Sequence, residues 1–220
     1  MEKDIHDRRP VKTRDAQWAV SAAAFLRHKG CTPNGISLFS IVCAALSALC
    51  FLLAWHLDNS LLQRGALLVA AVGIQGRLIC NLLDGMVAVE GGMRSPAGAI
   101  FNELPDRLSD TLLFLGAGYG LTQVAYGVEL AWAAAFFAIF TAYVRLLGGT
   151  CGLAQRFTGP MAKQHRMALL TGAAVLAAVV PQWGEPILLA TLAIIAAGSA
   201  LTALLRTRDV LARLRQGEAG

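Results

Sequence analysis

The sequence predicts an all-α polytopic membrane protein with six transmembrane helices, an N-terminal interfacial amphipathic helix and both termini in the cytoplasm. Three observations lead there. Of the 220 residues, 56% are hydrophobic and 15% charged, a balance unlike that of soluble domains. Six apolar segments approach the ~20 residues that cross a bilayer core. The basic residues crowd into the ends and alternate connections, so the net charge of +5 is explained by membrane topology rather than by nucleic acid.

Residues 1–13 are charged and read as a solvated tail. Residues 14–29 place Trp18, Ala22, Phe25 and Leu26 on one side, with basic residues at both ends. That pattern predicts a helix lying in the membrane interface. Thr32-Pro33-Asn34 breaks the chain. Spans are then expected over about 35–56, 61–88, from after Ser95-Pro96 to 119, 127–148, 165–181 (stopping at Pro181) and 185–206. Ser95-Pro96 reads as an N-cap followed by a first-turn proline. The whole chain, 1–220, reads as one membrane domain: an N-terminal segment 1–31, a six-helix bundle 32–206 and a cytoplasmic tail 207–220. Nothing in the first 30 residues resembles a cleavable signal peptide.

With the N terminus inside, the inner segments hold nearly all the Lys and Arg, including Arg27, Lys29, Arg94, Arg156, Lys163 and Arg166. The outer loops hold Arg64 at one border. The Arg206–Arg215 run reads as attraction to the inner leaflet. This topology places the stretch Asn81–Asp110 at the cytoplasmic end of spans two and three.

That stretch carries the chemistry. Asn81 and Asp84 share one helix face, with Arg77 one turn before them. Asn102, Asp106 and Asp110 form a stripe on the next helix. A short loop joins the two helices, which predicts antiparallel neighbours. A carboxylate at the centre of a membrane helix costs roughly 2.5–3.5 kcal/mol on insertion scales, so several together predict an ion or catalytic site. Converging carbonyl and carboxylate oxygens suit Mg²⁺, Mn²⁺ or Ca²⁺. Arg77 and Asp110 are expected to pair within the bundle. Glu103 and Arg107 stand i,i+4 in the favourable order. The five cysteines form no C-x-x-C pair and the four histidines no zinc pattern; the thiols read as buried and inert.

The residues resemble the signature of the CDP-alcohol phosphotransferases, D-x-x-D-G-x-x-A-R-x8-G-x3-D-x3-D. Here it reads Asn81-x-x-Asp84-Gly85-x-x-Ala88-Val89-x8-Gly98-x3-Asn102-x3-Asp106. All spacings agree. Asn stands for Asp at 81 and 102, and Val89 for the arginine. Thr32-Pro33-Asn34-x-x-Ser37, Tyr143-Val144-Arg145 and the run Gly159–Arg166 are also similar to the family, so the resemblance covers most of residues 32–170.

The resemblance implies a six-helix membrane enzyme, in a bacterial inner membrane with its site facing the cytoplasm. It would move a phosphatidyl or similar group from a CDP-alcohol, such as CDP-diacylglycerol, to a hydroxyl acceptor, releasing CMP. It implies Mg²⁺ or Mn²⁺, two ions, at Asn81, Asp84, Asn102 and Asp106, with Asp106 as general base. Gly85, Ala88 and Gly98 would contact the nucleotide, with Arg94 standing in for the arginine absent at 89. Arg145, Lys163 and Arg166 would hold phosphate on acceptor or lipid; Arg77, Glu103 and Asp110 would support the site. Homodimerisation is a family expectation. Each Asp-to-Asn exchange removes a negative charge from the metal site, for which Glu103 or Asp110 would compensate. A non-catalytic relative that binds CDP-lipid is the alternative. A small ion-coupled transporter fits less well, because paired repeats and broken midplane helices are absent from the sequence.

Overall fold

The computed structural model describes residues 16–93 and 97–217. Among them every regular element is helical. The helices are α1 (Gln17–His28), α2 (Pro33–Ala54), α3 (Ser60–Glu90), α4 (Gly98–Gly120), α5 (Gly127–Thr150), α6 (Lys163–Val179) and α7 (Gly184–Arg215). The expected boundaries hold within a few residues, except that α7 runs nine residues past 206 and takes in much of the expected tail. Local chemistry sets several ends. Thr32 Oγ1 accepts from Gly35 N at 3.1 Å at the start of α2, with Pro33 in the first turn. Asn59 Oδ1 accepts from Leu61 N at 2.8 Å and Leu62 N at 3.2 Å at the start of α3. Pro181 ends the run of α6 in a single 3₁₀ turn, Pro181–Trp183.

Among the described residues four helical stretches are long and apolar enough to cross a membrane: Pro33–Ala54, Ser60–Val89, Gly127–Thr150 and Pro181–Arg215. The chain is an integral membrane protein on that ground. The stretches expected as spans three and five, α4 and α6, fall outside this set. The charges of Glu103, Asp106, Arg107 and Asp110 load the first half of α4, and α6 has only 17 residues.

The six long helices close a ring in which each packs on two neighbours, in the order α3, α2, α4, α5, α7, α6 and back to α3. Phe51, Leu67, Ile74, Phe114, Met167, Leu188 and many alanines fill its interior. This order corrects one expectation. The helices α3 and α4 are consecutive, yet α2 packs extensively on both and stands between them. Small residues allow that approach. A Cβ on Gly116 of α4 would meet the Ala48 Cα of α2 at 2.5 Å, and one on Gly73 of α3 would meet Cys43 O at 3.0 Å. What spans the gap between α3 and α4 is therefore long polar side chains and a cavity.

At the far end of the bundle the buried Glu185 of α7 accepts from Thr122 N (2.9 Å), Thr122 Oγ1 (2.8 Å) and Gln123 N (2.7 Å), fastening the α4–α5 loop. At the near end, α1 lies across α3. Its buried face is Ala19 and Ala23, packed with Leu83, Met86 and Val87, while Phe25 faces outward and the half-exposed Trp18 borders a cavity. The apolar side read from the sequence is thus shared between protein and surroundings. Two arginines of the Arg206–Arg215 run also differ from expectation, while Arg208 and Arg215 are exposed. Arg206 is buried and donates to Thr158 O at 2.8 Å and Thr141 O at 2.7 Å, and Arg213 donates to Ala154 O at 3.0 Å. These arginines pin the α5–α6 connection. None of the cysteines is in a disulfide; four are half-buried and Cys151 is exposed.

Replacing Gly116 by Ala is expected to cost about 1–3 kcal/mol through overpacking against α2. The same change at Gly65, where nothing lies within 4 Å of the added carbon, is expected to be neutral or stabilising by up to ~1 kcal/mol. Thermal unfolding of the two variants in detergent checks the contrast.

Candidate active site

The polar stripe read from the sequence opens onto a cavity of about 1080 Å³ at the α4 N-terminal end of the ring. Its floor begins with Arg77, on α3, which is fully buried. Arg77 Nη2 lies 2.7 Å from Asp110 Oδ1 and 3.3 Å from Asp106 Oδ1. It also donates to Asp106 O at 3.2 Å. The expected Arg77–Asp110 pair is present, and it is widened by Arg166, whose Nη2 is 2.9 Å from Asp110 Oδ2. Arg166 Nη1 donates to Met161 O at 3.0 Å. Two carboxylates of α4 are thereby tied to α3 and α6.

Asp106 faces the cavity above this layer. Its Oδ1 accepts from Asn81 Nδ2 at 2.6 Å and its Oδ2 from Lys163 Nζ at 2.6 Å. Arg107 Nη2 lies 3.6 Å from Oδ2. Asp84, on the opposite wall, is 4% exposed and its Oδ2 accepts from Ser37 Oγ at 2.5 Å. Asn102 lines the mouth and is exposed. Glu103 pairs with Arg107 at 3.5 Å, as expected, and with Arg145. Arg145 also donates to Gln155 and lies over the Phe157 ring at 4.9 Å.

Asn81, Asp84, Gly85, Ala88, Gly98, Asn102, Glu103, Asp106, Arg145, Lys163 and Arg166 all line the cavity. Arg77 and Asp110 sit beneath it, in supporting positions. Arg94, Ser95 and Pro96 lie outside the described residues. Tyr143 is 56% exposed and is not part of the lining. Ser37, Gln155 and Phe157 belong to the site without having been assigned to it. Ser37 stood in the quoted Thr32–Ser37 motif; Gln155 and Phe157 sit in a connection with no periodic signal.

No family model matches the chain. It is 32% identical to the inner membrane protein YnbA of Escherichia coli (strain K12) over 154 residues, 69% of this chain and 71% of that protein. Its fold is that of the phosphatidylinositol phosphate synthase PgsA1 of Mycobacterium tuberculosis. With CDP-DAG bound, that protein superposes at a TM-score of 0.72, with 20% identity, over 89% of this chain and 94% of that one. In complex with manganese and citrate the TM-score is again 0.72, at 20% identity, over 88% of each. In the apo form it is 0.69, at 20% identity, over 87% and 95%. The chain belongs to the same family as YnbA.

The donor set differs from the one the motif's resemblance implies. Among the described residues no three His, Cys, Asp or Glu side chains gather into a metal cluster. Asn81 Oδ1 is buried without a hydrogen-bond partner, which leaves one neutral oxygen open. Asp106 is closed: Asn81 donates to it, and Arg77, Lys163 and Arg107 stand within ion-pair distance. Two unit charges 4 Å apart interact by ~4 kcal/mol at an effective dielectric of 20, and a divalent ion doubles that for each cation it meets. The expected two-ion centre at Asn81, Asp84, Asn102 and Asp106 does not fit these side chains.

Removing one partner from a buried ion pair leaves the other charge uncompensated. Arg77→Met is therefore expected to cost about 3–5 kcal/mol. The check is the detergent-solubilised unfolding midpoint, which should fall much further than for an exposed change such as Arg64→Met.

Proposed function

We propose that this chain is a phospholipid-biosynthetic transferase that moves a phosphatidyl or similar phospho-alcohol group from a CDP-alcohol to a hydroxyl acceptor and releases CMP. CDP-diacylglycerol is the preferred donor in this reading, supported by the CDP-DAG bound to the structural neighbour PgsA1. The observation that carries the reading is the cavity itself. The motif's positions 81, 84, 85, 88, 98, 102 and 106 all converge on its lining, although they come from two helices with α2 packed between them.

The reaction requires the acceptor oxygen to attack the β-phosphorus while the bond from that phosphorus to the CMP oxygen breaks. The acceptor proton goes to a carboxylate. We assign that role to Asp106, which faces the cavity and is oriented by Arg77 and Asn81. To receive the proton it must exchange one partner for the acceptor hydroxyl. Arg107, 3.6 Å from Oδ2, is the partner that can give way, while Lys163, on a flexible four-carbon stem, keeps one donor on Asp106 and turns the others to phosphate. Arg107 and Arg145 line the same cavity and add positive charge where a diphosphate would sit. Gly85 and Gly98 leave the walls low enough for nucleotide backbone contact. The manganese complex is one of PgsA1.

In the same reading the whole chain is one membrane domain in a bacterial inner membrane. All six long helices span it, both termini are cytoplasmic and the cavity opens to the cytoplasm, where nucleotide-activated substrates arise. The closed ion cluster at Asp106 favours a second reading, a relative that binds CDP-lipid without turning it over.

Purified protein in detergent is expected to release CMP from CDP-diacylglycerol when the right hydroxyl acceptor of a panel is supplied. Asp106→Asn should lower that rate roughly 10²–10⁴-fold, the usual worth of a positioned base. Folded protein that binds CDP-diacylglycerol yet releases no CMP across the panel would favour the second reading.

A further inference from the structure

The disagreement between the expected metal centre and the side chains present points to a specific substitution of one cation by another. Asp106 Oδ2 has the Lys163 ammonium at 2.6 Å and Oδ1 has the Asn81 amide nitrogen at 2.6 Å. A divalent ion binds carboxylate oxygen at about 2.0–2.6 Å, so an ion at Oδ2 and the ammonium compete for one seat. An aspartate at 81 would face Asp106 with like charge and would need a cation between them. The asparagine instead turns a donor to Asp106 and closes the gap without one. The exchange at 81 and the lysine at Asp106 are thus two parts of one arrangement.

Lys163 is suited to more than filling the seat. It is the first residue of α6, whose N-cap Ala162 provides no side-chain cap, and Ala162, Lys163 and Gln164 all line the cavity. Helix N-termini attract anions. The ammonium has three donors, so one can stay on Asp106 while the others meet phosphate oxygens. Its side chain is 23% exposed, held but not sealed. With it Arg77, Arg107, Arg145, Arg166 and Arg206 exceed the charge of Asp84, Glu103, Asp106 and Asp110, so the cavity and the layer beneath it are cationic before any ion enters.

We propose that the Lys163 ammonium takes the seat of a divalent cation at Asp106, with the Asn81 amide replacing a carboxylate, and that this lysine meets the diphosphate of the bound nucleotide. The chain then holds at most one divalent ion where a two-ion site would hold two. The identity of the anion rests on the CDP-alcohol reading; the ion count does not.

The test uses the full-length protein in detergent, stripped with EDTA and desalted. Mn²⁺ titration followed by electron paramagnetic resonance counts bound ions. Wild type is expected to bind no more than one per chain, and Asn81→Asp/Asn102→Asp/Lys163→Ala to bind at least one more. Two ions on wild type, or no gain in a folded triple variant, overturns the proposal. CDP binding by calorimetry gives a second readout that does not need the triple variant. Wild-type affinity in EDTA should match that in Mn²⁺ closely. Lys163→Ala should lose ~10-fold or more, the worth of a charge-assisted hydrogen bond. CDP binding that requires Mn²⁺ and ignores Lys163 also overturns it. CDP that binds under neither condition contradicts the CDP-alcohol reading, while the ion count still judges the lysine.

Discussion

The structure depends on one buried guanidinium. Arg77 lies with no exposed surface between Asp106 and Asp110, and it joins α3 to α4. These two helices follow each other in the chain but are held apart by α2, so this contact and the Asn81–Asp106 hydrogen bond are what tie them to each other directly. Burying charges in the bundle is expensive unless each is matched. Arg166 and Lys163 complete the matching from α6, bringing a third helix into register. The cavity walls are therefore positioned by ion pairs, while the apolar ring positions the ion pairs.

Division of labour follows from depth. The Asp110 carboxylate is fully buried with its charge matched by two guanidiniums, which suits it to a structural role. One turn nearer the mouth, Asp106 is also matched, but one of its partners is a lysine with part of its surface open to the cavity. Asp84 stands differently again: it is held by the Ser37 hydroxyl, and no cation of the described residues lies within ion-pair distance of it. Carboxylates of similar spacing in the sequence thus occupy three electrostatic settings. Loop geometry contributes as well, since Arg206 and Arg213 fasten to carbonyls of the α5–α6 connection, which brings Gln155 and Phe157 against Arg145.

Much of this was legible in the sequence because membrane helices impose strong rules. Hydropathy and breakers located the helices, and 3.6-residue spacing put Asn81 with Asp84 and Asn102 with Asp106 on single faces. The Arg77–Asp110 pair followed from the cost of leaving either charge alone. What the sequence did not carry was the order of helices around the ring. Chain adjacency argued for α3 against α4, whereas Gly73 and Gly116 let α2 come between them, and small residues are too common in such chains to mark a partner. The direction of the Asn81 amide was equally hidden, because a one-letter exchange does not say whether oxygen or nitrogen meets Asp106. Arg206 and Arg213 read as surface charge because charge alone does not distinguish a lipid headgroup from a backbone carbonyl as the partner.

The most direct test of the central claim is diffraction from crystals of the full-length protein grown with Mn²⁺ and CDP, recorded at the manganese absorption edge. The account predicts the Lys163 ammonium between Asp106 and the diphosphate, with no manganese signal on Asp106. A manganese peak shared by Asp106 and Asn102, with Lys163 displaced from the carboxylate, would contradict it.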